Sequence, residues 1–178
     1  MKRTRNSQAG FTLLELLVTC AIIGTLAAIA VPVFAGETRR AKGDSEVGAF
    51  FTELRIREEQ FQNENGTYLS TGSSESVTFP TSPSPSPQPI ASQPATWTQL
   101  KVRMPESTAR CAYVVITGTP TSGSVGTVAA ASFGFVRPTT RNWYYVLAHC
   151  DLDGDSSKDA YYFVSSDDPK VKSLNPGH

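Results

Sequence analysis

Residues 11–35 form an apolar run in which Glu15 is the only charged side chain. As an α-helix, this run would be about 37 Å long, which is enough to cross a hydrocarbon core of about 30 Å. A charge inside such a span costs roughly 2.5–3.5 kcal/mol on insertion scales. The run therefore predicts a membrane-spanning helix, and its isolated carboxylate predicts a functional role for Glu15.

The distribution of charged residues along the chain bears on whether nucleic acid is a partner. The chain has 16 basic and 16 acidic side chains. Lys2, Arg3 and Arg5 precede the apolar run, so residues 11–178 hold 13 basic against 16 acidic side chains. No basic stripe accompanies the aromatic residues, and nucleic acid is not indicated as a partner. The sequence also lacks a nucleophile–base motif and a phosphate-binding loop, so we do not expect an enzyme.

Composition and periodicity divide the chain into five segments. They are a basic leader at 1–10, the membrane-spanning helix at 11–35, an amphipathic helix at 36–69, a Pro/Ser-rich surface loop at 70–96 and a β-rich part at 97–178. The surface loop contains TSPSPSPQP, which is too poor in apolar residues to build a core, so it is interpreted as a solvated insertion. Glycosylation of its serines and threonines is the alternative role for this segment.

The segment after the apolar run has the periodicity of an amphipathic helix. One face contains Val47, Phe50, Phe51, Leu54, Glu58 and Phe61. Asn65-Gly66 is a strong signal for the end of a helix. Together with the apolar run, this predicts one continuous helix of about 50 residues. Gly24 and Pro32 are soft points within it, because Pro removes a backbone donor and Gly costs about 1 kcal/mol relative to Ala.

The C-terminal part has the composition of β-strands. Four stretches are rich in aromatic and β-branched residues, at 111–118, 131–138, 143–150 and 160–166. Turn-forming residues separate them, which predicts an antiparallel sheet of about four strands. A sheet with one apolar face needs a cover, and the amphipathic helix supplies it. The predicted fold class is therefore α+β.

Three cysteines limit the redox chemistry of the chain. Cys20 lies in the apolar run, whereas Cys111 and Cys150 lie in predicted strands. In an exported protein, the latter two would form a disulfide, and closing that loop would stabilise the fold by roughly 4 kcal/mol. Two separate buried thiols are the alternative.

The segment GFTLLELLVTCAIIGTLAAIAVP, residues 10–32, resembles the N-terminal segment of type IV prepilins and type II secretion pseudopilins. The matching features are Gly10 before the processing site, Phe11 after it, Glu15 four residues further on, and Gly24 and Pro32 within the helix. FQNENGTY, the W-x-x-L at 97–100 and LAHCDLDGD are also similar to pilin-like proteins, though less specifically. The resemblance implies a pilin-like fold, in which a long N-terminal helix packs on a small antiparallel sheet.

The resemblance also implies a series of processing and assembly steps. A prepilin peptidase would cut between Gly10 and Phe11, and the new amine of Phe11 would be N-methylated. The subunit would wait in the bacterial inner membrane with its globular domain in the periplasm. An assembly ATPase and a platform protein would then extract it into a filament with other pilin subunits, and residues 24–32 would melt there. Major pilin, minor pilin and secretion pseudopilin all remain open, and the Pro/Ser insertion slightly favours a pilus subunit.

Electrostatics gives Glu15 a role that is consistent with filament assembly. Apolar helix surfaces slide past one another at little cost, whereas a buried carboxylate needs a cationic partner. Residues 11–35 contain no Lys or Arg, so the best partner is the Phe11 amine of a neighbouring subunit. Pairing with its own terminus, one helical turn away, is the alternative in the membrane. Thr12 and Glu15 also fit a helix-capping box, which is compatible with either pairing.

The acidic stretch DLDGDSSKD carries the one indication of a cofactor. Asp151, Asp153, Asp155 and Asp159 resemble the start of a calcium loop, and major pseudopilins of the family hold a loop with calcium. The spacing is incomplete, because an EF-hand has Gly at position six and Glu at position twelve. The favoured interpretation is a turn in which the carboxylates accept hydrogen bonds from local backbone N–H groups.

Two other classes of protein compete with a filament subunit. Residues 1–35 also resemble a secretory signal, with VFA before Gly36 as an A-x-A-like cleavage site, which would leave a secreted soluble binding module. The apolar run is longer than the usual 7–15 residues and contains Glu15, which argues against this alternative. A permanently membrane-anchored exported domain explains the span, but it leaves the carboxylate without a purpose.

Overall fold

The computed structural model describes residues 11–90, 92–104 and 106–178. The basic leader and Gly10 lie outside the described residues. The chain divides into two compact units, with the boundary between Gly36 and Glu37. The N-terminal unit contains the apolar run, and the C-terminal unit contains the whole sheet.

Helix α1 is one continuous element, Leu13–Asn65. Pro32 lies inside it without ending it, and the helix ends where the sequence predicts. The residue after it, Gly66, has a φ of 77°, a left-handed conformation that glycine adopts without steric cost. The amide of Gly66 donates to the carbonyl of Gln62 over 2.7 Å, which satisfies one of the last helical acceptors.

The β-structure consists of a two-stranded and a four-stranded sheet. The first pairs β1 (Gln88–Pro89) with β2 (Thr108–Ala109). The second is an antiparallel meander of β3 (Cys111–Gly118), β4 (Trp143–Cys150), β5 (Ala160–Ser165) and β6 (Lys172–Leu174), in that order. Two short helices, α2 (Ala95–Gln99) and α3 (Thr127–Phe133), complete the secondary structure of the described residues. The α+β class and the pilin-like arrangement are thereby confirmed.

The predicted strand at 131–138 is wrong, and the fourth strand is β6. Residues 127–133 form α3 instead, which ends at Gly134 with a φ of 66°. The carboxylate of Glu75 accepts hydrogen bonds from the amides of Val128 and Ala129, over 2.8 and 2.9 Å. These bonds satisfy orphan donors at the start of the helix. The distant side chain of Glu75 therefore stabilises α3. The local sequence does not predict this helix, because its aromatic residues are typical of a strand.

The amphipathic half of α1 covers one face of the four-stranded sheet. Its buried side chains are Val47, Phe50, Phe51, Leu54 and Glu58, and Phe61 packs at the edge of the same cluster. Phe50 lies edge-on to Tyr113 of β3, with ring centroids 4.4 Å apart, and stacks on Trp97 of α2 at 5.4 Å. Burying each large apolar side chain contributes about 1.5–3 kcal/mol. The predicted helix face is confirmed residue by residue.

The opposite face of the sheet is also covered. Phe133 and Phe135, at the end of α3 and just after it, pack against Tyr145 and Phe163. Strands that are buried on both faces lose the alternation of apolar and polar residues that a half-exposed strand shows. This explains why β4 reads as WYYVLAHC, with seven of its eight residues buried.

The Pro/Ser-rich segment lies along the outer edge of β3. Phe79 exchanges two backbone hydrogen bonds with Tyr113, over 2.8 and 2.9 Å, and the amide of Ser84 donates to the carbonyl of Arg110 over 2.9 Å. The amide of Thr71 donates to the carbonyl of Val115 over 3.0 Å. An exposed strand edge is a template for aggregation. The segment therefore protects one edge of the sheet, in addition to being a loop.

The disulfide between Cys111 and Cys150 is confirmed. The two residues face each other in register at one end of the β3–β4 pair, and their Cα atoms are 4.3 Å apart. The alternative of two separate buried thiols is thereby excluded. Cys20 is exposed and is not part of a disulfide.

Candidate assembly site

A reciprocal capping box organises the start of α1. The backbone amide and the hydroxyl of Thr12 both donate to Oε2 of Glu15, over 3.0 and 2.9 Å. The amide of Glu15 in turn donates to the Thr12 hydroxyl over 3.2 Å. These contacts satisfy donors that a helix leaves open in its first turn. They also hold the carboxylate beside the first residues of the apolar run.

The segment that contains the capping box is apolar and exposed. The large exposed apolar side chains of residues 11–35 are Phe11, Leu13, Leu14, Leu16, Leu17, Val18, Ile22, Ile23, Leu26, Ile29, Val31, Val33 and Phe34. Among the described residues, α1 is the one helix long and apolar enough to cross a membrane. A contiguous apolar surface of this extent marks a site of contact with lipid or with other protein surfaces. Glu15 is the only charge within it.

The two predicted soft points lie in helical backbone. Gly24 and Pro32 are both inside α1. A Cβ atom built on Gly24 would meet nothing within 4 Å, so no packing contact within the described chain requires glycine there. Melting of residues 24–32 in an assembled filament therefore stays a prediction.

The residues of the predicted processing site are only partly within the described chain. Phe11 precedes α1 and is 80% exposed, whereas Gly10 lies outside the described residues. Thr12 and Glu15 both lie after the predicted cleavage point. Their capping contacts are therefore formed by residues that the processed chain would keep.

The acidic loop between β4 and β5 directs its carboxylates at its own backbone. Oδ1 of Asp151 accepts from the amide of Gly154 over 2.7 Å, and Oδ1 of Asp153 accepts from the amide of Asp155 over 3.0 Å. Asp155 accepts from the amide of Ser157 over 3.1 Å, and hydrogen bonds from Ser157 lower its pKa. This is the pattern that the turn interpretation predicts.

Two carboxylates of this loop, Asp153 and Asp159, have histidine partners. Oδ2 of Asp159 lies 2.5 Å from Nε2 of His149, and Oδ2 of Asp153 lies 3.0 Å from Nδ1 of His178. Residue 178 is also held by its carbonyl, which accepts from the amide of Leu152 over 3.0 Å. Over the described ranges, no three His, Cys, Asp or Glu side chains are grouped so that they could hold a metal ion.

Sequence reasoning missed the carboxylate of Glu46, which joins α1 to β3. Its Oε1 accepts from the amide of Arg110 over 2.9 Å, from the amide of Cys111 over 3.0 Å and from the hydroxyl of Tyr113 over 3.0 Å. The only signal in the sequence was a charged residue next to Val47 on the apolar helix face. That signal identifies no partner, because the partners lie more than 60 residues away.

Glu58 is the polar interruption that the helix pattern does reveal. Its side chain is fully buried, and Oε2 accepts from the amide of Leu69 over 3.0 Å. Burial raises the pKa of Glu58 to about 8, so the carboxyl group is mostly protonated near neutral pH. The residue therefore holds the turn after α1 against the helix from inside the core.

Comparison with known proteins supports the reading of the N-terminal segment. The family described as "Prokaryotic N-terminal methylation motif" matches residues 5–31. The chain is 39% identical, over 66 residues, to the type IV wide pilus major component PilA4 of Thermus thermophilus. That alignment covers 37% of this chain and 49% of the relative, so the chain spans about half the length of the curated relative it matches. No solved structure is significantly similar to the chain.

The motif, the aligned relative and the architecture agree with one another. The motif covers the capping box and most of the apolar run, and the C-terminal unit packs a long helix on an antiparallel sheet. The N-terminal segment of this chain is therefore similar to that of type IV pilins, both in its methylation motif and in its alignment with the Thermus pilin.

Proposed function

We propose that the chain is a structural subunit, major or minor, of a type IV pilus or a related pseudopilus. Prepilin peptidase cuts it between Gly10 and Phe11, and the amine of Phe11 is then N-methylated. The processed subunit waits in the inner membrane with residues 37–178 in the periplasm. The platform protein and the assembly ATPase then transfer it into a filament, where its N-terminal helix packs against other subunits.

One observation carries this proposal: a single, locally oriented carboxylate begins an exposed and otherwise uncharged apolar helix. Lipid or a bundle of like helices would cover the apolar side chains equally well. Neither lipid nor an apolar helix bundle accounts for the carboxylate of Glu15, because an unpaired buried charge costs roughly 3–5 kcal/mol. In the processed chain, the Phe11 amine is the nearest cation by sequence, since residues 11–35 contain no Lys or Arg.

Pairing between subunits would use this charge to set their axial register. The capping contacts hold Oε2 of Glu15 within 3.0 Å of the Thr12 amide, next to the residue that becomes the new terminus. A neighbour that is displaced along the helix axis would leave its amine and this carboxylate unpaired. We therefore assign Glu15 and Phe11 to assembly, with helix capping as the local device that orients the carboxylate.

The experiment that tests the proposal is the intact mass and N-terminal sequence of the protein, taken from membranes and from sheared filaments of its own host. We expect a chain that begins at N-methyl-Phe11 in both fractions. A start at Gly36 would make residues 1–35 a discarded signal and would overturn the proposal in favour of a secreted module. Processed or unprocessed protein that is found in membranes alone would instead indicate a permanent anchor.

A further inference from the structure

The C-terminal unit contains a polar cleft to which the proposed function assigns no role. The cleft has a volume of about 590 Å³ and lies on the face of the sheet opposite α1, between the start of α3 and the segment before β1. This volume is within the usual range of small-molecule sites, about 300–1,000 Å³. Six serine and threonine side chains line it: Ser74, Ser76, Thr78, Thr81, Ser82 and Thr127.

Two aromatic rings form part of the lining. His149 of β4 and Tyr161 of β5 are register partners, and their rings stack with centroids 4.7 Å apart and planes 4° from parallel. Asp159 holds the imidazole through Nε2, over 2.5 Å. In the neutral ring, Nε2–H donates to that carboxylate and Nδ1 is an acceptor. The cleft therefore contains two rings stacked on each other, each of which keeps one outer face and its edge for other contacts.

The charge of the cleft excludes two classes of ligand. Of the described residues that line it, none is Lys or Arg, and Glu75 is acidic, so the cleft does not favour an anion. A metal ion is disfavoured because both oxygens of Glu75 are already used. Oε1 accepts from the Ala129 amide and the Tyr145 hydroxyl, and Oε2 accepts from the Val128 amide.

The hydroxyl groups keep capacity for a ligand. Each hydroxyl can donate one hydrogen bond and accept two. The hydroxyls of Ser74 and Ser76 bond to each other over 2.8 Å, and the hydroxyl of Thr78 donates to the carbonyl of Thr81 over 3.1 Å. These bonds leave acceptor positions free on the hydroxyl oxygens. A ligand that both donates and accepts many neutral hydrogen bonds matches such a lining.

We propose that this cleft binds a neutral saccharide of one or two rings. Sugar hydroxyls would exchange hydrogen bonds with the serine and threonine side chains and with Nδ1 of His149. The C–H face of a sugar ring would pack on the face of the Tyr161 ring that is not stacked on His149, because aromatic ring faces carry partial negative charge. Free sugars and the terminal residues of a glycan chain share this chemistry.

The test is saturation-transfer NMR on the full chain, held in micelles of a zwitterionic detergent that has no sugar headgroup. The probes are a fixed mixture of glucose, galactose, mannose, N-acetylglucosamine, maltose, lactose and chitobiose. We expect transfer to at least one of them. Thr81→Trp, which places a large side chain at an exposed residue of the cleft, should reduce that transfer at least tenfold. Thr140→Trp, at an exposed threonine outside the cleft, should leave it unchanged.

A second arm uses the same saccharides attached to a solid support. Three results would overturn the proposal: no binding of any probe, free or attached, to the folded wild-type chain, equal loss in both tryptophan variants, or undiminished binding in Thr81→Trp. Binding of the free sugar identifies a solute, and binding of the attached form alone identifies a glycan chain; either result supports the proposal. Because binding is measured on unassembled chains, its failure is distinguishable from a failure of filament assembly.

Discussion

Glu58 should make the free energy of unfolding depend on pH. Its pKa rises from 4.5 to about 8 on folding because the carboxyl group is buried. The unfolded chain therefore loses this proton at a lower pH than the folded chain. The stability that the protonated group allows is complete below about pH 4.5 and is lost progressively up to about pH 8. The loss is on the order of 5 kcal/mol.

The variant Glu58→Gln should remove most of this pH dependence. The amide keeps an acceptor for the Leu69 N–H and cannot ionise, so we expect a higher melting temperature than wild type at pH 8–9 and a similar one near pH 5. Glu59→Gln is the matched control, since Glu59 is the exposed neighbour. Thermal melts from pH 5 to 9 measure the difference. Parallel curves for wild type and Glu58→Gln would show that burial of this residue does not set the pH response.

Glu15 and Thr12 allow charge to be separated from capping. Glu15→Gln keeps an oxygen that can accept from Thr12 but removes the charge, whereas Thr12→Val removes the hydroxyl and keeps the charge. If charge sets register, both Glu15→Ala and Glu15→Gln should be cleaved normally and enter filaments at least tenfold less efficiently than wild type in a competition assay. Thr12→Val should enter within about twofold of wild type, because its loss is limited to about 1 kcal/mol of capping.

The competition assay can also contradict the register hypothesis. Normal incorporation of Glu15→Ala would remove the need for a paired carboxylate. Normal incorporation of Glu15→Gln together with a defect in Thr12→Val would reduce the role of Glu15 to capping. Processing is measured in the same samples by mass, so that a cleavage defect is not mistaken for an assembly defect.

At the scale of elements, the disulfide closes one end of the β3–β4 pair. The variant Cys111→Ser should lower the free energy of unfolding by about 2–5 kcal/mol, because the unfolded chain regains the freedom of a long loop. Cys20→Ser should leave stability unchanged, since Cys20 is exposed and outside the disulfide. Melting curves with and without reductant measure both variants. A wild-type melting temperature that ignores reductant would contradict the contribution of the bond.

The loop between β4 and β5 should not depend on calcium. Asp151, Asp153 and Asp155 are already occupied by backbone amides of the same loop. Millimolar calcium or a chelator should therefore change the melting temperature by less than about 2 °C, because a ligand stabilises a fold only in proportion to its binding. An increase that calcium produces in wild type, and that Asp153→Asn abolishes, would establish a metal site.

Local patterns predicted the elements whose signals are local. The helix face at Val47 to Glu58, the helix end at Asn65 and the strands at 111–118 and 143–150 all follow from periodicity and turn residues. Residues 131–138 were misassigned because Phe133 and Phe135 alternate as they would in a strand, although Gly134 between them ends a helix. The capping role of Glu75 could not be predicted, since its partners lie 53 and 54 residues away.

At the scale of the whole molecule, the two units differ in whether their apolar side chains are buried within the chain. The C-terminal unit buries its own core, from Val47 to Val164. The N-terminal unit exposes nearly all of its large apolar side chains, so it requires lipid, detergent or other helices. The solubility of the chain is therefore decided by residues 11–36, whereas its folding stability is decided by residues 37–178.

A chain shortened to residues 37–178 should consequently be monomeric in water without detergent. Glu37 would then lie in the first helical turn, where a carboxylate suits the helix dipole. We expect its melting temperature to lie within a few degrees of that of the full chain in micelles, because no core side chain is removed. Sedimentation and near-ultraviolet circular dichroism measure the two properties separately. Aggregation with a native near-ultraviolet spectrum would show that the C-terminal unit also exposes a surface that self-associates. Loss of that spectrum would show that residues 11–36 contribute to folding.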